Sequence, residues 1–453
     1  MHPTRATEPL LRAVEQRTPK RCSLFCAAAI ILLGALLIVI TFGVLRNRDK
    51  AFDWPGPSSS VMGSFDRFAI TTDHTLCAHA GKTVIDAGGN AVEAAIAAMF
   101  CLGALNPQSS GLGGGFLMTL YNASTGRCTA IDARESAPAL STRDMFVNNT
   151  DAGKHGFLAA AVPGELAGYW EAYRRFGSGA VKWALLVQPT IDLLEDGLPV
   201  SEFLAKVMKD FETKFRRIPS MNLWINPSTN STYKEGDRMP RARLLRTLKK
   251  IAAASDPVQL FYHGEFADMI DREMRENGGI IRKADLAAYR VRVHERPLVA
   301  EFKNGMAMCG GPPPSGFAVT QLIINLMNHL YPNSTANQLH SDANVYHHLI
   351  ESQKFAYALR SGLGDEEFVS AAGTLAKRMI SREFLESILR KITDQSHETA
   401  YYGANDTAAS ADFGTSHVSV LDSAGNGVSA TTTINRRFGA CVESEALGIV
   451  WND

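Results

Sequence analysis

The stretch that most constrains this chain lies near its end, between Gly414 and Asn435. Val418 and Val420 alternate with Ser419, and Leu421 follows, so Thr415 to Leu421 reads as a strand. Ser423-Ala424-Gly425-Asn426-Gly427 is turn chemistry, because Gly and Asn tolerate positive φ. Val428-Ser429-Ala430-Thr431-Thr432-Thr433-Ile434-Asn435 is small, β-branched and hydroxyl-rich, and reads as the return strand of a hairpin. Such a hairpin brings Thr415, at the start of one strand, within hydrogen-bond reach of the Thr row on its neighbour. A Thr hydroxyl is a weak nucleophile until a base takes its proton. One economical base is the Thr's own α-amine, freed when the preceding peptide bond breaks, with a pKa of roughly 7.7–8.0. Gly414 suits such a bond, since it lets the backbone adopt the contorted shape that self-attack requires. The plainer reading is an ordinary Thr-rich hairpin.

A second constraint is the uncharged apolar run from Ser23 to Leu45. As a helix it spans a hydrocarbon core of roughly 30 Å, and it is longer than the apolar region of a cleaved signal peptide. Arg5, Arg12, Arg17, Lys20 and Arg21 precede it, against Glu8 and Glu15; Arg46, Arg48 and Lys50 follow. The bias favours a cytoplasmic N-terminus and a single-pass type II protein of the plasma membrane, with everything after the apolar run extracellular. Sequons at Asn122, Asn148, Asn230, Asn333 and Asn405 all fall after the apolar run, on the expected outer side. Lys plus Arg and Asp plus Glu are both 46, a balance that argues against nucleic acid as a partner. No clustered Cys or His spacing suggests a metal, and no cofactor is implied. Of seven cysteines, Cys22 and Cys26 sit at the membrane edge, and Cys128, Cys309 and Cys441 are expected to stay unpaired.

Residues 46–65, with Trp54-Pro55-Gly56-Pro57-Ser58, read as a stalk. His74 to Ala87 has helical spacing and stops at Gly88-Gly89. Asn90 then caps a second helix, with Glu93 completing a capping box and Ala91, Ala94, Ala95, Ala97 and Ala98 making it thin. Gly111-Leu112-Gly113-Gly114-Gly115-Phe116 fails as a phosphate loop and is read as backbone packed tightly beneath the hairpin, leading into a strand over 116–121. Thr129 to Arg134 is a strand running into a turn, where an ion pair of Arg134 with Glu135 or Asp132 is the simple expectation. A long helical region is expected to begin at Ala161–Gly164, with a helical pattern from about 180 to 290 and a polar loop at Asn226–Arg238, then a strand pair over 291–293 and 298–301, and helices over 318–330 and 346–359. Residues 391–413 are polar and read as a mobile segment.

Gly414-Thr415-Ser416-His417-Val418-Ser419-Val420, Ser429-Ala430-Thr431-Thr432-Thr433-Ile434-Asn435, Phe438-Gly439, and the segments at Gly88–Ala97 and Gly111–Phe116 together resemble the γ-glutamyltransferases. The resemblance covers roughly residues 65–453. It implies an α/β fold, the N-terminal-nucleophile hydrolase αββα sandwich, incomplete at the C-terminus and standing behind the single N-terminal transmembrane helix. Behind the tail at 1–22, the anchor at 23–45 and the stalk to 65 read from composition, it implies a large-subunit region over 66–414 and a partial small-subunit region over 415–453. It implies that Thr415 is the nucleophile, that Gly414-Thr415 is the autocleavage bond, and that Thr433 hydrogen-bonds the nucleophile. Arg134 is implied to bind the α-carboxylate of the γ-glutamyl group and Asn435 its amino group, with glutathione as the substrate and Cys77–Cys101 as a disulfide. The family's further acidic, Ser and Gly-pair residues have no counterpart up to Asp453. Two expectations follow: an ectoenzyme transferring the γ-glutamyl group to water or amino acids, and a catalytically impaired membrane glycoprotein that keeps the scaffold for binding. A different N-terminal-Thr amidase fits Arg134 and the Gly-rich loop less well.

Overall fold

The computed structural model describes residues 63–302, 305–332, 342–403 and 414–453, together with Gly34. The expected tail, the apolar run apart from Gly34, most of the stalk, Cys22, Cys26, Asn333 and Asn405 lie outside the described residues. Among the described residues no helix is long and apolar enough to cross a membrane. Residues 63–332 and 347–453 form one compact unit.

Helix α1 (Thr75–Asp86) starts where the His74 ring nitrogen accepts the Leu76 N–H, and it ends before Gly88, whose φ is +95°. Asn90 opens α2 (Ala91–Leu105) with the expected capping box to Glu93. The alanines of α2 leave it thin, and it is buried almost all round. The Cys77–Cys101 disulfide ties the two helices together, as the resemblance implied.

Beneath α2 runs an antiparallel sheet. Its strands are β1 (Ala69–Thr72), β2 (Gly115–Asn122), β3 (Arg127–Ala133), β4 (Arg292–His294), β7 (Ser416–Leu421) and β8 (Gly427–Thr433), in the order β1-β7-β8-β2-β3-β4. The C-terminal hairpin is therefore central, not peripheral. Its register sets Ser416 opposite Thr432, Val418 opposite Ala430 and Val420 opposite Val428. The period-2 alternation sends Val418, Val420, Val428, Ala430, Met118 and Leu120 into the core, with His417, Ser419, Ser429 and Thr431 on the other face. Asp422 closes the turn: one carboxylate oxygen accepts the Ala424 and Asn426 N–H groups, and the other accepts the Asn426 amide and the Ala91 N–H at the start of α2.

Helices α3 (Glu165–Phe176), α4 (Trp183–Glu195), α5 (Glu202–Phe215), α6 (Ala242–Ala253), α7 (Glu265–Glu276) and α8 (Lys283–Ala288) complete this core. A second, smaller core forms among α9 (Phe317–Leu330), α10 (Ala343–Arg360), α11 (Ala371–Met379) and α12 (Arg382–Leu389).

The arrangement is α/β, as expected: the described residues hold one six-stranded sheet and, beyond it, two-stranded ladders only. Three expectations change. The strands near 291–293 and 298–301 do not pair with each other: β4 joins β3, while β5 (Leu298–Glu301) pairs with β6 (Ala307–Gly310). Cys128 and Cys309, expected free, form a disulfide from β3 to β6, leaving Cys441 as a buried free thiol. Spacing could not reveal that bridge, because its partners are 181 residues apart. Residues 391–403 are held rather than loose, with the Tyr402 hydroxyl donating to the buried Glu351 carboxylate at 2.7 Å.

Chain entropy makes the longer closure the larger stabiliser, about 5 kcal/mol for Cys128–Cys309 against about 3 kcal/mol for Cys77–Cys101. Cys309→Ser is expected to lower the urea midpoint of the full chain further than Cys77→Ser, as read by circular dichroism.

Candidate active site

The site forms where the two ends of the hairpin meet the Gly-rich loop. Gly113, Gly114 and Gly115 admit three backbones that no side chain would tolerate. A Cβ on them would lie 2.0 Å from the Val450 carbonyl oxygen, 2.1 Å from that of Thr433 and 2.4 Å from that of Ala133. The sequence reading of this loop as tight packing therefore holds. The buried Asn452 side chain pins the same loop, donating to the Gly113 carbonyl at 2.6 Å and the Ala161 carbonyl at 2.8 Å, and accepting the Ala161 N–H.

Thr415 stands at the entrance of β7 and Thr433 at the end of β8. Gly414 takes φ +114°, a region open to glycine, and a Cβ there would approach the Arg437 nitrogen at 3.0 Å. In this conformation the Gly414 carbonyl oxygen accepts two hydroxyls, Thr415 Oγ1 at 2.8 Å and Thr433 Oγ1 at 2.7 Å. The two hydroxyl oxygens are 3.4 Å apart. The Asn435 N–H donates to Thr433 Oγ1 at 2.9 Å, which occupies a lone pair and directs the Thr433 proton toward the carbonyl. Asn435 itself takes φ +75°, which turns the chain out of β8 and points its carboxamide back across the site.

Arg134 follows β3. Its N–H is taken by Asp132 at 2.9 Å and its carbonyl by the Tyr289 hydroxyl at 2.9 Å, so the backbone is fixed on both sides. Its guanidinium donates to Asn435 Oδ1 at 2.7 Å and pairs with Glu135 at 3.2 Å. The ion pair with Glu135 and the approach to Asn435 thus coexist, and Asp132 holds the backbone rather than the guanidinium. Burial pushes the Glu135 carboxyl above its ordinary pKa, and Arg134 opposes the shift. Asn435 Nδ2 donates to the Asp453 carbonyl at 2.8 Å, and Asp453 also receives the Arg436 N–H and its guanidinium.

The structure therefore brings Gly414, Thr415, Thr433, Asn435 and Arg134 together. Cys77 and Cys101 lie in the helical layer, and Asn122, Asn148 and Asn230 are exposed on loops and strand ends. Among the described residues no group of three or more His, Cys, Asp or Glu is placed to hold a metal.

Sequence reasoning missed the underside. Thr432 alternates with Thr433 and so points inward, where its hydroxyl oxygen lies 2.6 Å from a Glu165 carboxyl oxygen and 2.7 Å from Ser110 Oγ. The Tyr169 hydroxyl donates to the same Glu165 oxygen. Glu165 is fully buried, and burial pushes its carboxyl up to about 8. The available signal was the second Thr of the run: a hydroxyl on the core face needs a partner. Glu165 occupies the first position of α3, where an acid already has an ordinary role beside the helix dipole.

Chemically, a carbonyl that accepts two hydroxyls, one belonging to the next residue, is polarised for attack across its own peptide bond. Comparison with known proteins gives the family. The gamma-glutamyltranspeptidase family model matches residues 77–453. Scoloptoxin SSD14 of Scolopendra dehaani is 35% identical over 399 residues, 87% of this chain and 68% of that protein. Glutathione hydrolase 5 proenzyme of Mus musculus is 33% identical over 432 residues, 94% of this chain and 73% of that one. The crystal structure of Helicobacter pylori gamma-glutamyltranspeptidase superposes with a TM-score of 0.67 at 29% identity, over 75% of this chain and 96% of that chain. The chain spans between 61% and 73% of the length of such curated relatives. With the Gly414–Asn435 constellation in place, the chain belongs to the gamma-glutamyltranspeptidase family.

Proposed function

We propose that this chain is the precursor of a γ-glutamyltransferase or glutathione hydrolase that cuts itself between Gly414 and Thr415. The carrying observation is the meeting of the Thr415 and Thr433 hydroxyls on the Gly414 carbonyl oxygen, at 2.8 and 2.7 Å. Thr415 Oγ1 adds to the Gly414 carbonyl carbon, and Thr433 stabilises the developing oxyanion. The C–N bond then breaks, the hydroxyl proton ends on the departing nitrogen, and an ester joins Gly414 to Thr415 Oγ1. Water hydrolyses the ester, leaving a carboxylate on Gly414 and a free α-amine on Thr415.

That amine is then the base of the mature site. It takes the Thr415 hydroxyl proton as the oxygen attacks the γ-carbonyl of glutathione or a related amide, and it returns the proton to the leaving amine. The γ-glutamyl ester on Thr415 passes to water or to an amino-acid amine. Arg134 suits the substrate's α-carboxylate because its fork can meet both oxygens, and the Asn435 carboxamide orients the α-amino group. The name of the mouse relative, a glutathione hydrolase proenzyme, supports both the substrate and the precursor state. Membrane anchoring by residues 23–45, with residues 66–414 and 415–453 as paired extracellular fragments, belongs to the same proposal and rests on the apolar run and the sequons.

Purified wild-type chain is expected to give two fragments on a denaturing gel, the smaller beginning at Thr415 by mass spectrometry, and Thr415→Ala to give one band. Thr433→Ala is expected to slow scission by about 10²–10³, the usual effect of losing an oxyanion donor. A single wild-type band and no chromophore release from a γ-glutamyl anilide would leave the non-catalytic scaffold reading instead. Arg134→Lys is expected to leave scission intact and raise KM for the anilide roughly tenfold or more, since a charged hydrogen bond contributes about 1.5–3 kcal/mol.

A further inference from the structure

Glu165 is a fully buried acid whose side chain reaches the site strand from below. It meets that strand at two levels. Its carboxyl oxygen Oε1 lies 2.6 Å from the Thr432 hydroxyl oxygen, and its backbone N–H, with that of Gly164, donates to the Gly114 carbonyl. Gly114 in turn lies directly against the Thr433 carbonyl. Thr433 is the next residue along, and its own hydroxyl faces the opposite side of the sheet, toward Gly414.

We propose that Glu165 is a positioning residue for self-cleavage: its carboxyl orders the Thr432 and Ser110 hydroxyls under β8 and so holds the Thr433 hydroxyl on the Gly414 carbonyl. The inference rests on the cleavage reading above and adds a residue and a proton that the reading does not contain.

The hydrogen-bond inventory shows why charge matters here. Both contacts of the carboxyl are made by Oε1, from Tyr169 and from Thr432, while Oε2 is buried and without a partner. An ionised carboxylate accepts from both hydroxyls and leaves its second oxygen unsolvated, an expensive state in a dry interior. With the proton on Oε1, that oxygen accepts from Tyr169 and donates to Thr432. Thr432 then donates to Ser110, 2.7 Å away. The chain of donors runs one way, Tyr169 to Glu165 to Thr432 to Ser110. Loss of the proton reverses the Thr432 hydroxyl.

The surroundings favour the neutral form. Tyr169 from α3 and Tyr262 from the turn before α7 are both pushed up by burial and stay uncharged. Glu135 and Arg134, from the turn after β3, act on Glu165 in opposite directions. Burial itself dominates and places the change near pH 8. Below that pH Glu165 is neutral and the chain is ordered; above it the carboxylate forms and the Thr432 hydroxyl turns back.

The test uses the full chain in two arms. In the first, scission is followed on gels from pH 6 to 10. Wild type is expected to lose rate, about tenfold, through an inflection near pH 8. Glu165→Gln, which cannot ionise, should cut without that inflection, and Glu165→Ala should cut at least tenfold slower than Glu165→Gln at pH 7. An inflection that persists in Glu165→Gln, or vanishes in Glu135→Gln instead, overturns the proposal. The second arm needs no cleavage. In uncut Thr415→Ala chain, the Thr433 methyl resonance is expected to shift with pH through the same inflection, and to stay fixed when Glu165→Gln is added. A Thr433 resonance blind to pH overturns the proposal even where scission is seen. Scission absent from wild type, with the Thr433 shift present, instead sinks the cleavage reading and leaves the positioning contact standing.

Discussion

Everything in this site depends on how near three backbones come to one another at Gly113, Gly114 and Gly115. Carbonyl groups of Val450, Thr433 and Ala133 fill the spaces where side chains would be. Protein interiors are packed as densely as organic crystals, so any added atom there must displace a strand. Because none is present, β2, the end of β8 and the last residues of the chain can share one small volume. Arg134, one residue past Ala133, is delivered to Asn435 by the same contact. A site made this way is set by main chain rather than by long side chains, and it loses little conformational freedom when substrate arrives.

The electrostatics divide between the two faces of β8. On the open face a guanidinium, a buried carboxyl and two hydroxyls lie close together, with Arg134 opposing the burial that raises Glu135. On the closed face Glu165 has no cation in contact, only hydroxyls, and burial governs it. Adjacent residues of one strand, Thr432 and Thr433, therefore present chemically similar groups to different dielectric surroundings. The alternation of a β-strand is what makes this possible within two residues.

The hairpin, the Asn90 cap, the thin α2 and the tight Gly-rich loop were legible in the sequence because each depends on local chemistry: period-2 alternation, a capping box, small residues, φ freedom. Gathering Thr415, Thr433, Asn435 and Arg134 was legible through the resemblance, not through spacing, since Arg134 is 301 residues from its Asn435 partner. What escaped was long-range and buried. The Cys128–Cys309 bridge joins segments whose proximity comes from β6 lying near β3. Pairing of β4 with β3, rather than with β5, is a tertiary choice between two equally plausible neighbours. Glu165 was hidden because an acid at a helix start has an ordinary explanation in the helix dipole. Nothing local said that its side chain would be enclosed.

The central place of the β7–β8 hairpin has a mechanical consequence. It is zipped to β1 on one flank and β2 on the other, and Asp422 fastens its turn to α2. A nick in the main chain ahead of β7 would sever connectivity without freeing anything, since neither piece can leave until two ladders open at once. Cohesion of the two pieces would then be a bimolecular matter only after global melting, so renaturation would slow on dilution while the native assembly stayed indifferent to it.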